Sequence, residues 1–263
     1  MKRRDFLKML YALGAINILA GCSSSKSESA TQLKLMIPLY SYPNWWDSEN
    51  YIWQKLIDIK NTHPDIEIIA IVNPSNGDFD SSNDDYVQGI TDLTNADIQV
   101  VGYVYTGYGT RETNDILTNL DSWKEYYQDI GVRGIFFDET ATDLESLSYY
   151  TNLSDEAKER DFDTIILNPG TKTNQEYIDS QIANIIVTYE NSYNSFQENT
   201  PSSNNQPNGI TKLSILIYQM NKEALDSTID FAKSNNFEYI YFTDDGDDGN
   251  PWDSLSNYLE DEY

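Results

Sequence analysis

Basic residues are scarce in this 263-residue chain: 17 Lys and Arg stand against 43 Asp and Glu, a formal charge of −26. That balance argues against a nucleic-acid partner, because no basic surface is left to displace counterions from phosphates. A single Cys excludes an internal disulfide framework and any zinc cluster built on thiolates. A single His, His63, reduces His-based catalysis to one residue, and it falls between a helix end and the next strand. There is no Gly-x-Ser-x-Gly elbow and no phosphate-cradling Gly-Lys-Ser/Thr sequence, and Glu112 occupies the third glycine position of the dinucleotide fingerprint begun by Gly107 and Gly109. What the chain has in quantity is aromatic: 20 Tyr and 13% aromatic residues overall, which argues against disorder despite the charge.

The N-terminus reads as an address. Lys2-Arg3-Arg4-Asp5-Phe6-Leu7-Lys8 is a basic segment ahead of a short apolar run, Met9 to Ala20, which is too short to span a bilayer. Arg3-Arg4 followed by Phe6-Leu7-Lys8 resembles a twin-arginine export signal, and Leu19-Ala20-Gly21-Cys22 resembles a lipobox with Cys22 as the lipidated residue. The expectation is a lipoprotein signal peptide over 1–22, a Ser-rich flexible tether over 23–32 and one domain over 33–263. Such a protein is exported and held at the cell membrane by lipid on Cys22, facing away from the cytoplasm. Removing 1–22 takes away four basic residues and only one acid, so the remainder is more acidic still.

From Leu33 onward, short apolar runs alternate with segments of helical spacing. Strands are expected at 35–40, 66–72, 98–105, 134–137, 164–167, 185–189, 213–218 and 239–242. Helices are expected at 47–61, 84–94, 113–130, 144–160, 175–180, 222–234 and 252–259, with 191–209 mostly loop. Eight such units in about 230 residues suit a single-domain α/β fold, a (β/α)8 TIM-type barrel. An open doubly wound sheet is the alternative. Tyr40, Asn73, Tyr105, Asp138, Glu139, Asn168, Glu190, Gln219 and Asp244 all lie at carboxyl ends of expected strands. A barrel gathers those ends into one mouth, which favours the barrel.

Carboxylates are the chemistry such a mouth offers. Asp138 and Glu139 follow the buried-looking run Gly134-Ile135-Phe136-Phe137, and Glu190 closes the sixth strand. Charges at the end of a buried strand need partners or a task. Helix capping accounts for Asp138 alone and less readily for all three. Two carboxyl groups across a mouth are the equipment of a glycosidase. Tyr40, Tyr42, Trp45, Trp46, Tyr105, Tyr108 and Trp252 crowd the strand-end loops, and their rings offer apolar faces to sugars. A non-catalytic lipoprotein that captures polysaccharide or sugars would use the same rings and anchor. A barrel without activity, serving adhesion, is a third reading. The acidic turns Asp78 to Asp85 and Asp244 to Asp248 lack EF-hand spacing, so no metal site is assigned.

Six stretches carry a family resemblance: 37–43 (IPLYSYP), 72–74 (VNP), 101–111 (VGYVYTGYGTR), 134–139 (GIFFDE), 167–171 (LNPGT) and 188–190 (TYE), with a looser echo at 242–244 (FTD). In that order they resemble the spherulin-4-like proteins, glycoside hydrolase family 135. The resemblance implies a barrel hydrolase that cuts internal α-1,4 bonds in galactosamine or N-acetylgalactosamine polymers, without a cofactor. It carries the acidic motif onto Asp138 and Glu139 and the second acid onto Glu190. Asp138 then serves as nucleophile or base, Glu190 as general acid and Glu139 as support, with the roles of Asp138 and Glu190 exchangeable. Tyr40, Asn73, Tyr105, Tyr108, Asn168 and Asp244 are the expected substrate-binding residues. Tyr105 and Tyr218-Gln219 stand where many relatives carry His, a departure that bears on substrate preference.

Overall fold

A strand covered on both faces has no place for alternating polar residues, and the strands here have almost none. Leu35, Met36 and Ile37 in the first, and all five residues of the second, are buried. In the computed structural model, residues 33–200, 204–246 and 249–262 are described. The expected signal peptide, Cys22 and the tether lie outside them. Eight parallel strands, β1 (Lys34–Leu39), β2 (Ile68–Val72), β3 (Gln99–Tyr105), β4 (Val132–Asp138), β5 (Thr164–Leu167), β6 (Ile185–Ser192), β7 (Lys212–Tyr218) and β8 (Phe237–Phe242), pair in sequence order. Pairing of β1 with β8 closes the barrel, so the TIM-type reading holds and the open sheet does not.

Helices α1 (Ile52–Thr62), α2 (Asp84–Asn95), α3 (Thr113–Tyr127), α4 (Leu147–Glu159), α5 (Glu176–Asp179), α6 (Tyr193–Glu198) and α7 (Leu225–Ser234) alternate with the strands. The amphipathic spacing of α3 buries Ile116, Leu120 and Trp123. Trp123 packs so closely on β3 that a Cβ at Gly102 would lie 2.5 Å from its ring, so only glycine fits there. Asn83 caps α2 by accepting from the N–H groups of Asp85 at 2.9 Å and Tyr86 at 3.3 Å. None of the described helices is long and apolar enough to cross a membrane.

Register assigns side chains to the barrel interior. Tyr103 pairs with Phe136 and Tyr105 with Asp138, while Phe136 pairs with Ile166, two residues before Asn168. Met36 pairs with Ile69 and Ile69 with Gln99, which puts Tyr40 and Asn73 on the same interior set by alternation. On β6 strict alternation from Val187 would turn Glu190 outward. A register shift between Val187 and Tyr189 reverses this: Val187 pairs with Ser214 but Glu190 with Leu216, two residues along β7. The irregularity therefore aims Glu190 into the mouth. At the opposite end Lys34 bridges Glu67 (2.8 Å) and Glu238 (3.0 Å), and Lys212 bridges Glu238 (3.0 Å).

Two expectations fail. The 252–259 segment is no helix; it runs through turns into a short 3-10 turn, Leu259–Asp261. Local side-chain bonds compete with helix there, since Asp244 accepts from the Asn257 backbone at 3.1 Å and the Tyr241 hydroxyl from that of Ser256 at 3.1 Å. The 191–209 stretch is not mostly loop at its start. β6 continues to Ser192, which caps α6, and buried Phe196 packs edge-on against Phe231 at 5.0 Å.

Candidate active site at the barrel mouth

Asp138 is the last residue of β4 and Glu190 lies on β6, separated by β5. Asn168, immediately after β5, spans them. Its Nδ2 donates to Asp138 Oδ1 at 2.7 Å and to Glu190 Oε2 at 2.6 Å. Asn168 Oδ1 accepts the Gly170 N–H at 3.0 Å, which fixes the amide with its nitrogen toward the acids. Those two carboxylate oxygens lie within about 5.3 Å of each other, the limit for two such bonds through one atom.

The remaining oxygens have separate partners. The Tyr103 hydroxyl donates to Asp138 Oδ2 at 2.8 Å, and Trp252 Nε1 donates to Glu190 Oε1 at 3.2 Å. Burial raises the pKa of Asp138, opposed by hydrogen bonds from the Glu139 backbone, Tyr103 and Asn168. Burial, followed by the charge of Asp138, pushes Glu190 up to about 7, and the bonds from Asn168 and Trp252 only partly offset this. The two acids thus sit in one polar cluster but differ in what holds each charge. That is the arrangement in which one carboxyl keeps its proton and its neighbour does not.

Glu139 takes part through its backbone. Its N–H serves Asp138, and its carbonyl accepts from Tyr108 N–H at 2.6 Å and Thr106 Oγ1 at 2.8 Å. Its φ of 52° lies in the left-handed region, costly for a residue with a side chain and frequent at functional sites. Tyr40 sets its ring edge-on to Tyr103, centroids 5.7 Å apart. Burial and then the charge of Asp138 hold the Tyr40 hydroxyl well above its ordinary pKa, so it stays a donor. Asn73 Oδ1 is buried without a hydrogen-bond partner among the described residues, an acceptor left open at the mouth. Tyr105 lies under the Arg111 guanidinium, 4.0 Å from its ring centroid, and Tyr108 stands exposed on the rim.

Asp244 is placed differently from the other expected residues. Both its oxygens are taken by Asn257, the backbone N–H at 3.1 Å and Nδ2 at 2.6 Å, so its carboxylate ties down the C-terminal segment. Tyr103 and Trp252 complete the acid pair's partners but were absent from the expected site residues. Alternation from Tyr105 reaches Tyr103; Trp252 was expected among the strand-end rings as an apolar face for sugars, and what the sequence did not show is that its Nε1 donates to Glu190. Among the described residues no group of His, Cys, Asp and Glu is arranged to hold a metal ion.

Residues 34–263 match the profile of spherulation-specific family 4. Spherulin-4 of Physarum polycephalum is 30% identical over 244 residues, covering 89% of this chain and 70% of that protein. Among solved structures, Aspergillus clavatus Sph3 in complex with GalNAc superposes with a TM-score of 0.75 at 22% identity, over 88% of this chain and 96% of that one. A GH113 β-1,4-mannanase superposes with a TM-score of 0.51 at 9% identity, again over 88% and 96%. Both share the barrel.

Proposed function

The chain belongs to spherulation-specific family 4, and from that membership and the mouth geometry we propose that it is a glycoside hydrolase. Its substrate class in this reading is a polysaccharide of α-1,4-linked galactosamine or N-acetylgalactosamine, cut at internal bonds. The sugar held by Sph3, GalNAc, supports the amino-sugar assignment. The observation that carries the reading is the Asp138–Asn168–Glu190 bridge, with Glu190 raised to about 7 and Asp138 supplied with three hydrogen bonds.

Glu190 then enters the reaction as the acid. Its proton passes to the glycosidic oxygen as the bond to the anomeric carbon breaks. Asp138, ionised, attacks that carbon and forms a glycosyl ester. Water, deprotonated by the Glu190 carboxylate, opens the ester and restores both groups. The proximity of the two carboxyls fits this double displacement, which needs them about 5–5.5 Å apart, better than single inversion, which needs about 6.5–9.5 Å. Tyr40 as donor and Asn73 Oδ1 as acceptor are placed to orient sugar hydroxyls or an acetamido group.

We also propose that the protein is exported and anchored through lipid on Cys22, on the strength of the lipobox. Cys22→Ala moving the protein from the membrane to the soluble fraction is the expected result. The activity is tested by reducing-end release from the polymer. Cleavage by the wild type that falls by roughly 10²-fold or more in Asp138→Asn and Glu190→Gln supports the assignment; undiminished cleavage by both variants overturns it.

A further inference from the structure

Three large aromatic side chains on the loop after β1 are exposed: Tyr42 and Trp45 at 45% and Trp46 at 58% of their surface. They form one shelf, with Trp45 and Trp46 edge-to-face at 5.8 Å and Tyr42 against Trp46 at 6.2 Å. A contiguous exposed apolar patch marks an interaction site rather than a solvated face. The shelf is held in place by one carboxylate. Asp85 Oδ2 accepts from the Tyr42 hydroxyl at 2.6 Å and Asp85 Oδ1 from Trp45 Nε1 at 3.1 Å. Beside it opens a groove of about 680 Å³ lined by four aspartates, Asp85 among them, and by no Lys, Arg or His.

Rings that are exposed and fixed, next to uncompensated negative charge, select a ligand with an apolar face and a positive charge. Tyr42 is two residues, at most about 7 Å of chain, beyond Tyr40, whose hydroxyl senses Asp138 and Glu190. The shelf therefore stands on the loop that Tyr40 begins, and the proposal takes a sugar chain from the acid pair toward it.

We propose that Tyr42, Trp45, Trp46 and Asp85 form a distal subsite for a 2-amino-2-deoxyhexose residue bearing a free ammonium group. The subsite rests on the glycosidase reading for the path of the chain and extends it to the charge of the substrate. The rings stack on the sugar's C–H face, and the carboxylate side of the groove takes the ammonium.

The test measures binding to the full chain carrying Glu190→Gln, so that cleavage does not interfere. The probes are α-1,4-linked N-acetylgalactosamine oligosaccharides of one length, fully acetylated or partly de-N-acetylated. The partly deacetylated probe is expected to bind about 3- to 10-fold tighter at low salt, as a partly exposed cation contact allows. That preference shrinks at high ionic strength and disappears on adding Asp85→Asn, which keeps an acceptor for the shelf. Trp46→Ala is expected to weaken both probes by roughly 3- to 10-fold. Equal affinity for the two probes, a preference that survives Asp85→Asn, or no effect of Trp46→Ala overturns the proposal. Circular dichroism confirms that each variant retains its fold. Polymer cleavage by the wild type separates the two readings: cleavage without the preference removes only the subsite, and preference without cleavage removes only the hydrolase.

Discussion

Asp138 and Glu190 accept hydrogen bonds from the same nitrogen, Asn168 Nδ2, at 2.7 and 2.6 Å. One amide thus sets both their separation and their relative orientation. It also brings the charge of Asp138 close enough to help raise Glu190. The proton that Glu190 keeps near neutrality is a consequence of that shared contact and of burial.

A bell-shaped dependence of kcat/KM on pH follows. Glu190 must be protonated to act as acid, so activity falls as pH rises through about 7. The acid limb belongs to Asp138, which must be ionised, and its raised pKa moves that limb above the ordinary aspartate range. Glu190→Gln is expected to lower kcat by roughly 10²–10⁴-fold and to abolish the alkaline limb. A rate profile whose alkaline limb persists in that variant would contradict the assignment.

Tyr103→Phe removes the hydroxyl that donates to Asp138 Oδ2. A hydrogen bond to a charged group contributes about 1.5–3 kcal/mol, so kcat/KM should fall by roughly 10- to 100-fold. Because that bond favours the ionised form, its loss raises the Asp138 pKa and shifts the acid limb to higher pH. A loss of activity with the limb unmoved would mean that Tyr103 only packs.

The short span between the acids predicts retention of configuration. Proton NMR of the first product formed from an α-linked oligosaccharide should show the α anomer, with the β form growing only by mutarotation. Initial β product would place a water between the carboxyls and assign inversion.

The barrel was legible because its strands are apolar runs of a length that only two-sided burial explains, and their polar ends marked the mouth. Asp138, Asn168 and Glu190 were found in that way. Glu190 was found despite its strand: the expected strand ended at Tyr189, and the irregularity that turns the next side chain inward depends on pairing with β7. Tyr103 was hidden inside a run that read as core, since a tyrosine's hydroxyl is visible in sequence but its partner is not. Asp244 occupies a strand end like the others, yet Asn257, thirteen residues on, claims its carboxylate. Strand-end position therefore identifies candidates, and the contacts made by distant segments decide among them.

The C-terminal segment carries the last prediction. Glu262 is only 1% exposed; its Oε2 accepts the Phe242 N–H at 3.1 Å, and its Oε1 has no hydrogen-bond partner among the described residues. Burial raises its pKa well above the ordinary glutamate range, and the Phe242 N–H, Lys55 and the Ser256 hydroxyl offset this only in part. A folded-state pKa raised above the unfolded one contributes stability below the unfolded value, and that contribution is lost as pH rises toward the folded value. Glu262→Gln keeps an acceptor for Phe242, cannot ionise and places an amide donor beside Ser256. The variant should melt with little pH dependence from this site, while the wild type loses ground to it from pH 5 upward. The gain grows by up to about 1.4 kcal/mol for each pH unit over which the unfolded chain has released this proton and the folded chain holds it, so a difference of roughly a few kcal/mol is expected between pH 5 and pH 8. For a domain of this size that corresponds to several degrees in Tm. Melting curves of the two proteins at pH 5 and pH 8 decide it: a Tm gap that does not widen with pH means that Glu262 ionises as readily in the folded chain as in the unfolded one, and its pKa is not raised.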